Sequence, residues 1–466
     1  MHRGQKAAQA ATKETWVDRR LEQLVFLAIC FTPFQLALTL NLGGSPLKIS
    51  ELLLGLAIAL FPFSSWVKRR PAGQLPLLLF SLVFIVSALI HYVGTATSLP
   101  LLARGYTRSQ TGDIIFYTVF TLFALLAWKV LASLERAKIE RALIIASWLC
   151  IGAVLFQALG VASGNLGLVE ALGFESQGRV EDRLVSTRNG PFKEGQHLGF
   201  FTGSLLILAL YRRRFFTALG LLACIFYSQS TTAILGLGLA LLLVLILRAS
   251  VSTVSLFLGS LLVLFLSFAF ITPFRDFVYL QLEKLGFSTA ANLGERYTVS
   301  LDVRSLKSEI GFEIMQDFPL LGVGPGRYSI YFFDYPQSFD MPYYYFRDNH
   351  RAIAENIYAQ VAAEFGLFGF AFFLLFLLAL AWQAFKSRQA GLLGFAAFVL
   401  FGISTQSTLT FLPIWVFFAL LASSPGPLPA SQDSAPAGEE KNPVSPPPLA
   451  FPSLPPQEGP VRAEVS

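Results

Sequence analysis

Residues 197–248 decide the fold. They read HLGFFTGSLLILALY (197–211), Arg212-Arg213-Arg214, FFTALGLLACIFY (215–227), three polar residues, TTAILGLGLALLLVLIL (231–247) and Arg248. Apolar runs follow one another with almost no chain between them, and short basic groups punctuate them. A hydrocarbon layer about 30 Å thick asks for this pattern, at roughly 20 apolar residues per crossing helix.

The rest of the chain repeats it. Of its 466 residues 54% are hydrophobic and 14% charged, with a mean hydropathy of +0.59, so lipid rather than water is the expected solvent. Spans are expected at 24–42, 49–66, 75–93, 113–132, 139–162, 197–211, 215–227, 231–247, 251–271, 358–382, 391–404 and 408–422. The expected fold class is therefore all-α, a polytopic helix bundle of about 12 transmembrane helices.

Basic residues offer a separate test of that count. Arg3, Lys6, Lys13, Arg19 and Arg20 precede the first span. Lys68, Arg69 and Arg70, then Arg136, Lys138 and Arg141, then Arg212 to Arg214, Arg248, and Lys386 with Arg388 all fall in gaps on the same side. That side is expected to be cytoplasmic. Residues 163–196 and 272–357 are then extracytoplasmic, the second forming a large loop between spans nine and ten with room for a few helices over the bundle.

Residues 1–23 form a basic leader without a small-residue cleavage motif, so the first span is expected to be a retained anchor. The tail from 423 to 466 holds twelve of the chain's 25 prolines, which predicts cytoplasmic disorder rather than packing. Cys30, Cys150 and Cys224 each sit inside an apolar run, as packing residues rather than a disulfide framework or metal site. The net charge of +6 is spread in short clusters, not one stripe with interleaved aromatics, which argues against a nucleic-acid partner.

Outer arginines run against the positive-inside bias: Arg179, Arg183 and Arg188 in one loop, and Arg275, Arg296, Arg304, Arg327, Arg347 and Arg351 in the other. Guanidinium groups grip phosphate through a planar fork. Such a group beside a membrane suits a lipid-linked diphosphate, and equally suits anionic head groups or pairing with Glu175, Glu181, Asp182, Glu295, Asp302 and Glu309.

Three segments carry candidate chemistry. Arg188-Asn-Gly-Pro-Phe-Lys-Glu194-Gly-Gln-His197 sets an arginine, a carboxylate and a histidine at the mouth of a span, or else forms a turn and a solvated helix start. Asp317-Phe-Pro-Leu-Leu-Gly-Val-Gly-Pro-Gly326-Arg327 is a tight loop expected to expose backbone amides. It follows no strand and lacks a terminal Lys-Ser/Thr, so it is no nucleotide site. Asn356, Gln360 and Glu364, spaced by four, make a polar stripe on a helix entering the bilayer, which is either a functional site or an interhelical hydrogen-bond ladder.

These segments, in this order and spacing, resemble the O-antigen ligase and polymerase superfamily. The likeness rests on Gly190 to Phe192, on Pro319 to Gly326 with Arg304 upstream, and on Asn-x-Tyr-x-Gln-x-x-x-Glu-x-Gly from Asn356 to Gly366 with Gly369 beyond. It covers residues 24 to 422. The resemblance implies a metal-independent, inverting glycan transferase without cofactor, at the outer face of the bacterial inner membrane. The donor would be a polyprenyl-diphosphate-linked oligosaccharide, and the partners an acceptor glycan or glycolipid, the lipid bilayer and a chain-length regulator. It assigns Arg188 and Arg304 to the diphosphate; Arg327, just beyond the glycine loop, is a further candidate there, and Asn356, Gln360, Glu364, His350 and His197 are candidates for acceptor binding or site support.

Ligases carry a histidine immediately before the Asn of the last motif, where this chain has Glu355. Glu355 and Glu194 are accordingly the expected catalytic carboxylates, with His350 the competing base. The balance tilts toward a polymerase, with a ligase the same-fold alternative. A secondary transporter is the remoter one, disfavoured because no internal repeat is visible.

Overall fold

The computed structural model describes residues 15–42, 45–95, 110–174, 177–180, 183–186, 188–247, 251–285, 287, 295–336, 352–406 and 408–423. His350, Arg347, Arg351, most of the leader and all of the tail beyond Ser423 lie outside the described residues.

The first helix, α1 (Trp16–Cys30), begins and ends earlier than its apolar run suggests. Thr15 and Asp18 form a reciprocal capping box that starts it, each backbone N–H donating to the other's side chain at 3.1 Å. Pro33 follows just past its end, and helices rarely continue through the residue before a proline. Residues 31–42 therefore leave the helix and lead into a short hairpin, β1 (Leu40–Leu42) with β2 (Ser45–Leu47).

Helices α2 (Ile49–Leu60), α3 (Gln74–Thr95), α4 (Gln110–Ala132) and α5 (Arg136–Ala162) follow. The segment expected to be the first extracytoplasmic loop holds α6 (Leu166–Ala171) and a second hairpin, β3 (Gln177–Val180) with β4 (Arg183–Ser186). The fold is helical as expected, and the two hairpins, of three- and four-residue strands, are minor additions to it. Next come α7 (Gly195–Tyr211), α8 (Phe215–Ser228), α9 (Thr231–Leu247) and α10 (Val251–Phe270). The segment expected to be the large extracytoplasmic loop contains α11 (Thr272–Lys284), α12 (Glu295–Asp317) and the single turn α13 (Tyr328–Tyr331). The chain returns through α14 (Ile357–Lys386), α15 (Ala390–Gly402) and α16 (Leu412–Ala422).

Among the described residues four helical stretches are long and apolar enough to cross a membrane: Gln74–Tyr92, Ile115–Ala132, Arg136–Ala162 and Ile357–Lys386. Five further apolar helices are shorter. The shortest, α16, has 11 residues and every one is buried, as befits a helix that is hydrophobic all round. At 1.5 Å per residue it reaches only about 16 Å. It is therefore a central post rather than a lipid-facing span, gripped by rings such as Phe201 against Phe417 at 5.7 Å and Phe376 against Phe418 at 5.4 Å. Helix α7 is buried from His197 to Ala209 and lies beside it.

The basic clusters also fasten helix ends. Buried Arg136 donates to the carbonyl of Ser423, the C-cap of α16, at 2.5 Å, Arg69 donates to the carbonyl of Ser133 at 2.5 Å, and Arg212 pairs with Glu140. Cations suit helix C-termini, where carbonyls lack intrahelical partners. Cys30, Cys150 and Cys224 are free and buried.

Candidate functional site

Helix α12 carries Arg304 and Lys307 one turn apart, so both face the same way. Each grips one oxygen of Glu355. Arg304 Nε lies 2.8 Å from Oε2 and Lys307 Nζ 2.7 Å from Oε1. Glu355 has a left-handed φ of 49°, a conformation that costs a non-glycine residue energy and persists only where surroundings hold it. The clamp is one holder, and Asn356 is the next. Its Oδ1 caps α14 by accepting from the N–H groups of Tyr358 and Ala359, while its amide donates to Ser308 Oγ at 3.3 Å. Tyr328 Oη adds a bond to the carbonyl of Lys307 at 2.6 Å. Burial works to raise the pKa of Glu355, but the Lys307 ammonium and the Arg304 guanidinium outweigh it and hold the carboxyl below its usual range.

Two more cations converge from other elements. Lys284, the last residue of α11, donates to the carbonyl of Gln229 at 2.9 Å. Burial, with Arg188 and Arg304 close enough to repel it, pushes its pKa down to about 8. Arg188 stands on the loop before α7, and buried Gln157 of α5 sets that loop. Gln157 accepts from Gly190 N at 2.8 Å and donates to Asn189 Oδ1 at 2.9 Å. Arg304 and Lys307 thus hold Glu355, and Lys284 lies within electrostatic reach of both Arg304 and Arg188. His197 lies within electrostatic reach of Glu194, Arg304 and Glu355, its ring stacked on Phe411 at 4.7 Å. Glu194 occupies the N-cap position of α7 without a side-chain capping bond.

The glycine-rich loop has a different task from the one expected. Helix α14 breaks at Gly366, where φ is 61° and ψ −161°, and the loop fills the break. Val323 N and Gly324 N donate to the carbonyls of Ala363 and Glu364 at 2.9 Å, and Leu367 N donates to the carbonyl of Pro319 at 2.6 Å. Ser87 of α3 secures the carbonyl of Leu321 at 3.0 Å. These amides satisfy a helix that would otherwise leave backbone groups unpaired in an apolar surrounding, so they are not exposed for a ligand. Arg327 goes with the loop. It is buried and donates to the carbonyl of His91 at 2.8 Å, so the structure does not gather it with Arg304.

Gln360 and Glu364 also lie apart from the cation group. Gln360 Nε2 donates to Tyr117 Oη at 2.8 Å and to Glu364 Oε1 at 3.4 Å, linking α14 to α4 as a hydrogen-bond ladder does. Among the described residues no group of three histidines, cysteines or carboxylates could hold a metal ion.

Lys284, Lys307 and Gln157 were not among the residues singled out from sequence, and Gly366 stood there only as a motif position, with no sign that it breaks the helix. The two lysines did carry a signal, since they violate the positive-inside bias as the arginines do, and Lys307 follows Arg304 by three. Gln157 sits inside an apolar run and had none.

Fold and site together define an apolar helical membrane protein with a cation-rich site where α7 and α14 begin. Residues 215–374 match the family model described as O-antigen ligase, so this stretch is similar to the O-antigen ligase and polymerase superfamily. A comparison with curated proteins finds no match.

Lys284 sets an expected pH dependence. An ammonium with a pKa near 8 is charged below that value and neutral above it. Affinity for a diphosphate ligand should fall as pH rises through 8. In Lys284→Arg, whose guanidinium stays charged, the fall should disappear. Titration of binding by calorimetry between pH 7 and 9.5 checks this, and an unchanged pH slope in the variant would remove Lys284 from the site.

Proposed function

We propose that the protein is a polymerase of O-antigen or exopolysaccharide that moves glycan from a polyprenyl-diphosphate carrier to an acceptor sugar hydroxyl at the outer face of the bacterial inner membrane. The observation that carries this reading is the clamping of one carboxylate, Glu355, by Arg304 and Lys307, with Lys284 in electrostatic reach of Arg304 and Arg188, in a chain whose middle matches the O-antigen ligase family.

The four cations neutralise the departing diphosphate, positioned in advance for the charge that develops there. The acceptor oxygen attacks the anomeric carbon from the face opposite the diphosphate, the bond to the carrier breaks, and the configuration inverts. Glu355 takes the hydroxyl proton. In the free protein both its oxygens are held by cations, which makes it a weak base. A bound diphosphate competes for Arg304 and Lys307, and as their hold loosens the buried carboxylate becomes more basic. Donor binding in this way prepares the base. Glu194 and His197, beside the same group, line the acceptor side.

Glu355 in place of the histidine of ligases favours a polymerase. The deciding experiment incubates the reconstituted protein with polyprenyl-diphosphate oligosaccharide alone. A ladder of lengthened glycans with released carrier diphosphate supports the proposal. Single-step transfer that requires an added glycolipid would make it a ligase, and no transfer under either condition would sink both.

A further inference from the structure

We propose that Glu364, Gln360, Tyr117 and Thr121 form a binding site for one sodium ion, which ties α4 to α14 just before the break at Gly366.

A carboxylate at this depth needs an answering charge. Glu364 is 1% exposed, and a charge taken out of water is costly unless another charge or a set of polar groups compensates it. Among the described residues no lysine, arginine or histidine forms an ion pair with it. The amides of Gly326 and Tyr328 lie beside its carboxylate, yet Oε2 has no hydrogen-bond partner among the described residues.

Oxygen gathers around the same point. Tyr117 Oη, which accepts from Gln360 Nε2 at 2.8 Å, also lies close to Glu364 and to Thr121. Thr121 is wholly buried. In equally buried α7, Thr202 and Ser204 return their hydroxyls to the carbonyl four residues back, at 2.7 and 2.8 Å. Thr121 does not, and neither its Oγ1 nor Gln360 Oε1 has a partner among the described residues. Buried oxygens in that state are rare in a native protein. A half-turn of the Gln360 amide exchanges its oxygen and nitrogen. Oε1 then stands where Nε2 does, 2.8 Å from Tyr117 Oη and 3.4 Å from Glu364 Oε1, separations suited to neighbouring oxygens around one small cation.

The donor set selects the ion. Oxygen without nitrogen or sulfur suits a hard cation, and one carboxylate balances one positive charge, whereas calcium and magnesium draw on more carboxylates, on carbonyls or on substrate phosphate. Four side chains are few for potassium, the larger ion. Membrane proteins coordinate sodium at discontinuous helices, and Glu364 sits just ahead of the point where α14 breaks. A proton on Glu364 would neutralise the carboxylate but serve only one neighbouring oxygen.

The test uses the full chain in phosphatidylcholine nanodiscs, washed free of sodium into choline chloride. Binding of radioactive sodium should saturate at one ion per chain and be displaced by unlabelled sodium but not by equal potassium. At constant ionic strength sodium, unlike potassium, should raise the melting temperature, as any ligand of the folded state does. Glu364→Gln removes the charge with little change of shape and should abolish both responses. Thr121→Val should weaken sodium binding about tenfold, the size of one lost contact to a charge. Should Glu364→Gln fail to fold, the isotherm of the unaltered protein and the Thr121→Val shift decide. Binding that does not saturate, or equal displacement by potassium, overturns the inference. So does unchanged sodium affinity in the variants, or melting that follows pH but not sodium, which would mark Glu364 as a protonated acid instead.

Discussion

Arg304→Lys should lower glycan transfer by about two to three orders of magnitude, the usual effect of removing one fixed charge donor from a developing anion. Charge is retained, but lysine cannot hold Glu355 through Nε and phosphate through the rest of a planar fork. Because Lys can still pair with Glu355, the folded protein should survive the exchange. Glu355→Gln differs in kind. It leaves Lys307, only 5% exposed, without its counter-charge, and breaking a buried pair in this way costs on the order of 3–5 kcal/mol. Transfer and thermal stability should therefore fall together in Glu355→Gln and separate in Arg304→Lys. The sign with pH is also fixed. A carboxyl held below its usual value contributes stability that is present above that value and is lost as pH falls through its own lower one. Near-normal transfer by Arg304→Lys in a stable protein would reduce these cations to lipid head-group contacts.

The second large effect is structural. At Gly366 a Cβ would lie 2.7 Å from Gly322 N, Leu320 C and Pro319 O, and at Gly322 it would lie 2.4 Å from the Ala363 carbonyl oxygen. These are backbone atoms that cannot swing aside, and both glycines have left-handed φ values of 61° and 64°, which L side chains rarely adopt. Gly366→Ala and Gly322→Ala should each cost more than about 4 kcal/mol, at the extreme of single substitutions. The expected result is loss of a monodisperse peak in fluorescence-detected chromatography. Gly238→Ala is the control, because no atom lies within 4 Å of its added Cβ. A Gly366→Ala protein that melts like the parent would show that the interlock does not hold α14 in place.

How much of this was legible beforehand varies with the residue. Arg304, Glu355 and Arg188 could be singled out because charge on an outer loop is visible in one dimension. Arg327 looked equivalent by the same criterion, yet its partner is a carbonyl on α3, 236 positions away. The glycine loop carried a recognisable pattern with an opposite implication. Its amides looked free because the break in α14 that consumes them depends on one glycine in a run of apolar residues that otherwise favours an unbroken helix.

By itself the sequence determined the solvent and the chemistry at hand. Apolar runs near the thickness of a bilayer, basic groups on alternate gaps and cations in the long polar segments between runs are local properties, so no folding is needed to see them. Only the tertiary structure decided that α7 and α16 stand inside the bundle. It alone joined Lys284 and Lys307 to Arg188 and Arg304, and turned the glycine-rich loop into a plug for a broken helix. Those outcomes depend on which helix face meets which neighbour, and in a chain where nearly every face is apolar the hydrophobic pattern does not distinguish an inner face from a lipid-facing one.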